Sequence, residues 1–143
     1  MIQSYLKEKL ADQLPQLTWT VDYRTKNDHT GTVYYEGGGQ PGQYDVKVRY
    51  PRYMVYISSS DWEFAEYAAQ AAFDAIHRTA YEDVQVDFYK DEQVIDTKNY
   101  YINFIAAASE PNPIGVENGI MDYSINFEVI LVEHEKEEIN HGT

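Results

Sequence analysis

The chain has 143 residues, 43% of them hydrophobic and 15% aromatic, which suits one domain with its own core and excludes an intrinsically disordered chain. It has no cysteine, so disulfide frameworks, thiolate metal sites and cysteine catalysis are all excluded, and a reducing compartment is compatible. With 24 acidic against 11 basic side chains the net charge is −13, and such a surface repels the phosphates that dominate nucleic-acid affinity.

The opening residues Met1 to Leu10 interleave charge with apolar side chains, which predicts no secretory signal and places the protein in the cytoplasm. Ile2, Tyr5, Leu6, Leu10 and Leu14 recur at helical spacing, and Pro15 supplies the stop, so an amphipathic helix comes first. Leu17, Trp19, Val21 and Tyr23 then alternate with polar residues, the period of a strand with one wet face. Thr32 to Tyr35 reads as a second strand. The glycine-rich stretch 37–42 and the alternation of Tyr44, Val46, Val48 and Tyr50 predict a hairpin partner for it. After Pro51, residues Tyr53 to Ser58 are a further strand or a continuation past an edge bulge.

Ser60-Asp61-Trp62-Glu63 has the form of a capping box, with Ser60 as cap, and predicts a second helix from about Phe64 to Arg78. Its six alanines leave one side flat enough for close approach to a sheet or another helix. Val84, Val86 and Phe88 form a strand, Lys90-Asp91-Glu92 a turn, Val94-Ile95 a short return, and Tyr100 to Ala106 another strand. Residues 108–121, with two prolines, are expected to be a long working loop. Tyr123 to Leu131 close the sheet. Ile130 and Val132 make that strand's end apolar on its other face too, so a helix or a neighbouring subunit should cover it. From Glu133 the chain is expected to fray. These elements predict an α+β domain over residues 1–133, mostly antiparallel with two helices on one face of the sheet, and a flexible acidic tail over 134–143. No run approaches the roughly 18–20 apolar residues of a membrane-spanning helix, so membrane partners are not expected.

Candidates for chemistry are few. The 37–42 glycines lack a following Gly-Lys-Ser or Gly-Lys-Thr, and a strand rather than a helix comes next, so they read as a hairpin tip rather than a phosphate cradle. His29, His77, His134 and His141 form no ligand pair outside the acidic tail. Ser58, Ser59 and Ser60 lack a nucleophile elbow. No catalytic residue, metal ligand or cofactor is therefore nominated. The 14 tyrosines against 5 phenylalanines have two readings, half-buried strands or interface rings. Trp19 and Trp62, with the tyrosines, leave a carbohydrate-binding module as the alternative reading of function.

Three stretches together resemble one family: Pro51 to Ser59, the alanine-rich helix after Asp61, and Glu110-Pro111-Asn112-Pro113-Ile114-Gly115-Val116-Glu117-Asn118-Gly119 leading into Tyr123 to Phe127. They are similar to minor capsid proteins of the head-to-tail module of phages and prophages of Gram-positive bacteria, a group similar to tail terminators. The resemblance implies a non-enzymatic virion subunit in a homo-oligomeric ring, commonly of six. Such a ring meets the tail tube protein on one side and the head connector on the other, and assembles in the host cytoplasm. On that reading the expected contact residues are Ala68, Ala72, Gly38, Gln40, Pro111, Ile114, Ile130 and Val132.

Overall fold

A computed structural model describes residues 1–25, 27–40 and 47–134. The predicted Tyr44 and Val46, His141 and the tail beyond His134 lie outside the described residues. The elements run α1 (Gln3–Gln13), β1 (Thr18–Val21), β2 (Thr30–Gly37), β3 (Val48–Arg49), β4 (Arg52–Ser59), α2 (Trp62–Ile76), β5 (Glu82–Lys90), β6 (Gln93–Ala107), β7 (Asn112–Glu117) and β8 (Ile120–His134). The described strands form one sheet in the order β1-β2-β4-β8-β6-β5, with β3 and β7 also paired to β8. Every pairing is antiparallel except β1 with β2, so the α+β architecture stands.

Strand β8 organises the sheet. Its 15 residues are flanked on one side by β4 and then β3, and on the other by β7 and then β6. Alternate residues Ile125, Phe127, Val129 and Leu131 are buried, and so are Tyr53, Val55 and Ile57 on β4. Both helices cover this face. Ile2, Leu6, Leu10 and Leu14 are wholly buried along α1, and Ala68, Ala69, Ala72 and Ile76 along α2, all in one apolar cluster with the sheet. Burying side chains of this size contributes about 1.5–3 kcal/mol each for the larger ones, so this layer is the main source of stability. Tyr53 is the largest of them. Its hydroxyl accepts a hydrogen bond from the Ile2 backbone N–H at 3.2 Å, and burial raises its pKa well above the usual phenol range.

Five expectations change, the first being that the short return Val94-Ile95 and the strand Tyr100 to Ala106 are one continuous strand, β6. The partner of β2 is β4, while β3 turns away to pair with Val132 and Leu131 of β8. The cap of α2 is Asp61, whose carboxylate accepts from the Phe64 N–H at 3.1 Å, because the Ser60 hydroxyl is bonded to Asp28 instead. Residues 108–121 are mostly a hairpin: β7 and β8 join through Asn118 and Gly119, both left-handed at φ 53° and 78°, the geometry of a two-residue type I′ turn. Finally, β8 continues through Glu133, whose N–H donates to the Lys47 carbonyl at 2.8 Å, so the chain does not fray there.

Gly31 fits because the Trp19 ring lies on it. A β-carbon there would stand 2.5 Å from the ring, which is itself held by a 3.0 Å bond from its indole N–H to the Leu14 carbonyl. Gly31→Ala should therefore destabilise by roughly 1–3 kcal/mol, as overpacking does. Urea denaturation reads this directly, and an unchanged midpoint would show that the ring has room to move.

Candidate functional site

The described residues leave the helix-free face of the sheet incompletely covered. Ile130 and Val132 of β8 point to it and are half-buried, with Val48 of β3 paired to Val132. A bulge in β6 at Asn103 shifts the register between Ile102 and Phe104. Ile102 therefore stays in the core, whereas Phe104 stands beside Ile130 on the open face, 38% exposed. Phe104, Ala106, Ile130, Tyr50, Arg52 and Gly39 line a shallow groove of about 260 Å³. Its rim carries a loose ion pair, Arg52 Nε to Glu128 Oε1 at 3.6 Å, with both side chains more than half exposed. Such a pair contributes about 1 kcal/mol at most.

At the opposite end of β6 stands an arm. The last pair between β6 and the described part of β8 is Asn99 with His134, so beyond it β5 and β6 run on with only each other for neighbours among the described residues. The arm closes at Asp91 and Glu92, both in the left-handed region. Pairing of Phe88 with Asp96, and next of Tyr89 with Val94, leaves Ile95 as the extra residue of a bulge. Tyr89, Val94 and Ile95 are 63%, 50% and 65% exposed. No described residue covers these apolar side chains, which makes the arm tip a candidate contact surface.

The polar cluster at the start of α2 has another role. His29 Nδ1 lies 2.9 Å from Ser59 Oγ, and its Nε2 lies 3.5 Å from Asp28. Serine, histidine and aspartate thus stand together, but Ser59 is fully buried and its Oγ accepts from the Asp61 N–H, so it presents no hydroxyl to solvent. The Ser60 hydroxyl donates to Asp28 and holds its carboxyl below the usual carboxylate range. The group ties the loop before β2 to the β4–α2 junction. At the other end of β4 from Arg52, the residues Arg24, Asn27, Ser58, Asn118 and Asp122 line a polar basin in which the Ser58 hydroxyl donates to buried Asp122 at 2.6 Å. No cluster of three metal-ligating side chains occurs among the described residues.

Neither a scan against protein-family models nor a search of curated proteins finds a match to the chain. What the chain does must be argued from its own surfaces.

The predicted contact residues divide into three groups. Ala68 and Ala72 are wholly buried against the chain's own sheet and α1, so they offer nothing to another subunit, and the expectation for them is corrected. Ile130 lines the groove, Gly38 lies beside its Arg52, and Gln40 shares a hollow with its Tyr50, while Val132 stands further along β8 between Val48 and Tyr101. Pro111 is buried, and Ile114 is 51% exposed on β7, away from that group. Phe104 and the arm tip were not singled out beforehand. The one signal for the arm was Val94-Ile95, an apolar pair placed directly after a charged turn. Trp19 is buried and Trp62, though exposed, gives its indole N–H to the Gly119 carbonyl at 2.9 Å, so neither tryptophan presents a free polar edge to a sugar.

Proposed function

We propose that the chain is a non-enzymatic structural subunit of a phage tail terminator or head–tail joining ring, capping the tail tube and connecting it to the head. The observation that carries this reading is the coexistence of two apolar surfaces that no described residue covers, the groove at Phe104 and Ile130 and the arm tip at Val94 and Ile95. Two different patches that mate between copies make a heterologous contact, and repetition of such a contact closes into a ring when the rotation permits. The resemblance of the 51–59, α2 and 110–127 stretches to minor capsid proteins supplies the setting. The charge of −13 agrees with it, because a channel that passes DNA should not retain it through counterion release. On this reading the partners are further copies, the tail tube protein and the head connector, and the places are the host cytoplasm and then the virion junction.

Negative-stain microscopy of concentrated protein, alone and mixed with isolated tail tubes, tests the proposal. Rings in solution or caps on tube ends are the expected result. A chain that stays monomeric and leaves tube ends bare would refute it.

A further inference from the structure

We propose that the β5–β6 arm of one copy lies across the helix-free face of a second copy, with Val94 and Ile95 seated in the groove beside Phe104 and Ile130. This rests on the ring reading and names the contact that would build it.

Geometry makes the contact intermolecular. Ile95 and Phe104 belong to the same continuous strand, β6, and are nine residues apart. At about 3.3 Å per residue they stand roughly 30 Å from each other, so the arm cannot fold back into its own groove. Chemistry makes the two surfaces fit. The groove is apolar along Phe104, Ala106 and Ile130, and its rim holds Arg52 and Glu128, loosely paired at 3.6 Å and both more than half exposed. The arm tip offers apolar Val94 and Ile95 next to Lys90, Asp91 and Glu92, so as the apolar side chains enter, its carboxylates would compete with Glu128 for the Arg52 guanidinium while Lys90 offsets Glu128. Strand addition at the β5 edge is the less suitable mode of contact. That edge carries Asp83, Asp87 and Lys90, and charged side chains blunt edge-to-edge pairing.

The absence of cysteine allows a clean test. Ile95→Cys and Phe104→Cys chains, distinguished by tag size, are mixed under mild oxidation at the concentration used for microscopy, and again with tail tubes. A Tyr50→Cys chain serves as a second groove position. All three sites are exposed, so folding should survive. The expected result is a mixed disulfide between Ile95→Cys and a groove variant, at least tenfold above any homodimer of either variant, and a covalent ladder when Ile95→Cys and Phe104→Cys are combined in one chain. Rings without that adduct would overturn the arm contact and leave the ring reading standing. An adduct without rings would support the contact and sink the ring. An Ile95→Cys chain that joins only to itself, or only to the tube protein, would also overturn the contact.

Discussion

Replacing Val94 and Ile95 together by aspartate should abolish assembly while leaving the monomer as stable as before. Both side chains are at least half exposed, so the monomer loses almost no buried surface, and surface changes of this kind stay within about 0.5 kcal/mol. In the assembly the same positions would force two carboxylates against Phe104 and Ile130. Desolvating an unpaired charge costs several kcal/mol, so a loss of roughly a hundredfold or more in self-affinity follows. The chain already carries −13, and two further charges per copy add to repulsion between copies. Sedimentation velocity beside thermal melting separates the two effects. Equal assembly of variant and wild type would place the subunit contact elsewhere.

Phe127→Ala should have the opposite profile, a large loss of stability in the monomer itself. Phe127 is fully buried at the middle of β8, paired on one side with Tyr53 and on the other with Ala107, and its side chain lies in the cluster under the helices. Removing a buried phenylalanine leaves a cavity and costs about 3–5 kcal/mol, a large fraction of the roughly 5–15 kcal/mol that holds a domain folded. In urea the midpoint should fall with little change in slope. A change below about 1 kcal/mol would mean that β8 is not the centre of the core. Together the two variants divide the β8–β6 region into a face that holds the fold and a surface that meets other copies.

Much of the fold was legible because local patterns and burial agree. Ile2, Leu6, Leu10 and Leu14 are spaced by four residues and all four are buried; β4 and β8 alternate, and so do their buried residues. Strand partnership was not legible. The alternation at Tyr44 to Tyr50 is as strand-like as that at Tyr53 to Ile57, and a period of two says nothing about which neighbour a strand takes. Asn118-Gly119 is a strong hairpin signal, yet Pro111 and Pro113 on its approach made the segment look like a loop. β7 accepts Pro113 because, among the described residues, it pairs on one side only, with β8. Ser60 has the chemistry of a cap, but Asp28, 32 residues earlier, takes its hydroxyl and leaves the task to Asp61. Such long-range competition leaves no trace in a local window.

The candidate site was legible in part for the same reasons. Ile130 and Val132 stood out because β8 is apolar on both faces near its end. Phe104 did not, because only the Asn103 bulge turns it out of the alternation that would have placed it with Ile102 in the core. The pattern of Ala68 and Ala72 does not tell a subunit contact from internal packing, since a small-residue helix face suits any close neighbour. Here that neighbour is the chain's own sheet and α1.

The most direct measurement of the central claim is the mass of the particle formed by the wild-type chain, with the Val94→Asp/Ile95→Asp variant beside it at the same concentration. A ring subunit gives one closed species at a fixed multiple of 16.6 kDa, six copies being the expectation from the resemblance, and the variant stays at 16.6 kDa. A wild-type chain that remains at 16.6 kDa at every concentration, and on tail tubes as well, would contradict the account.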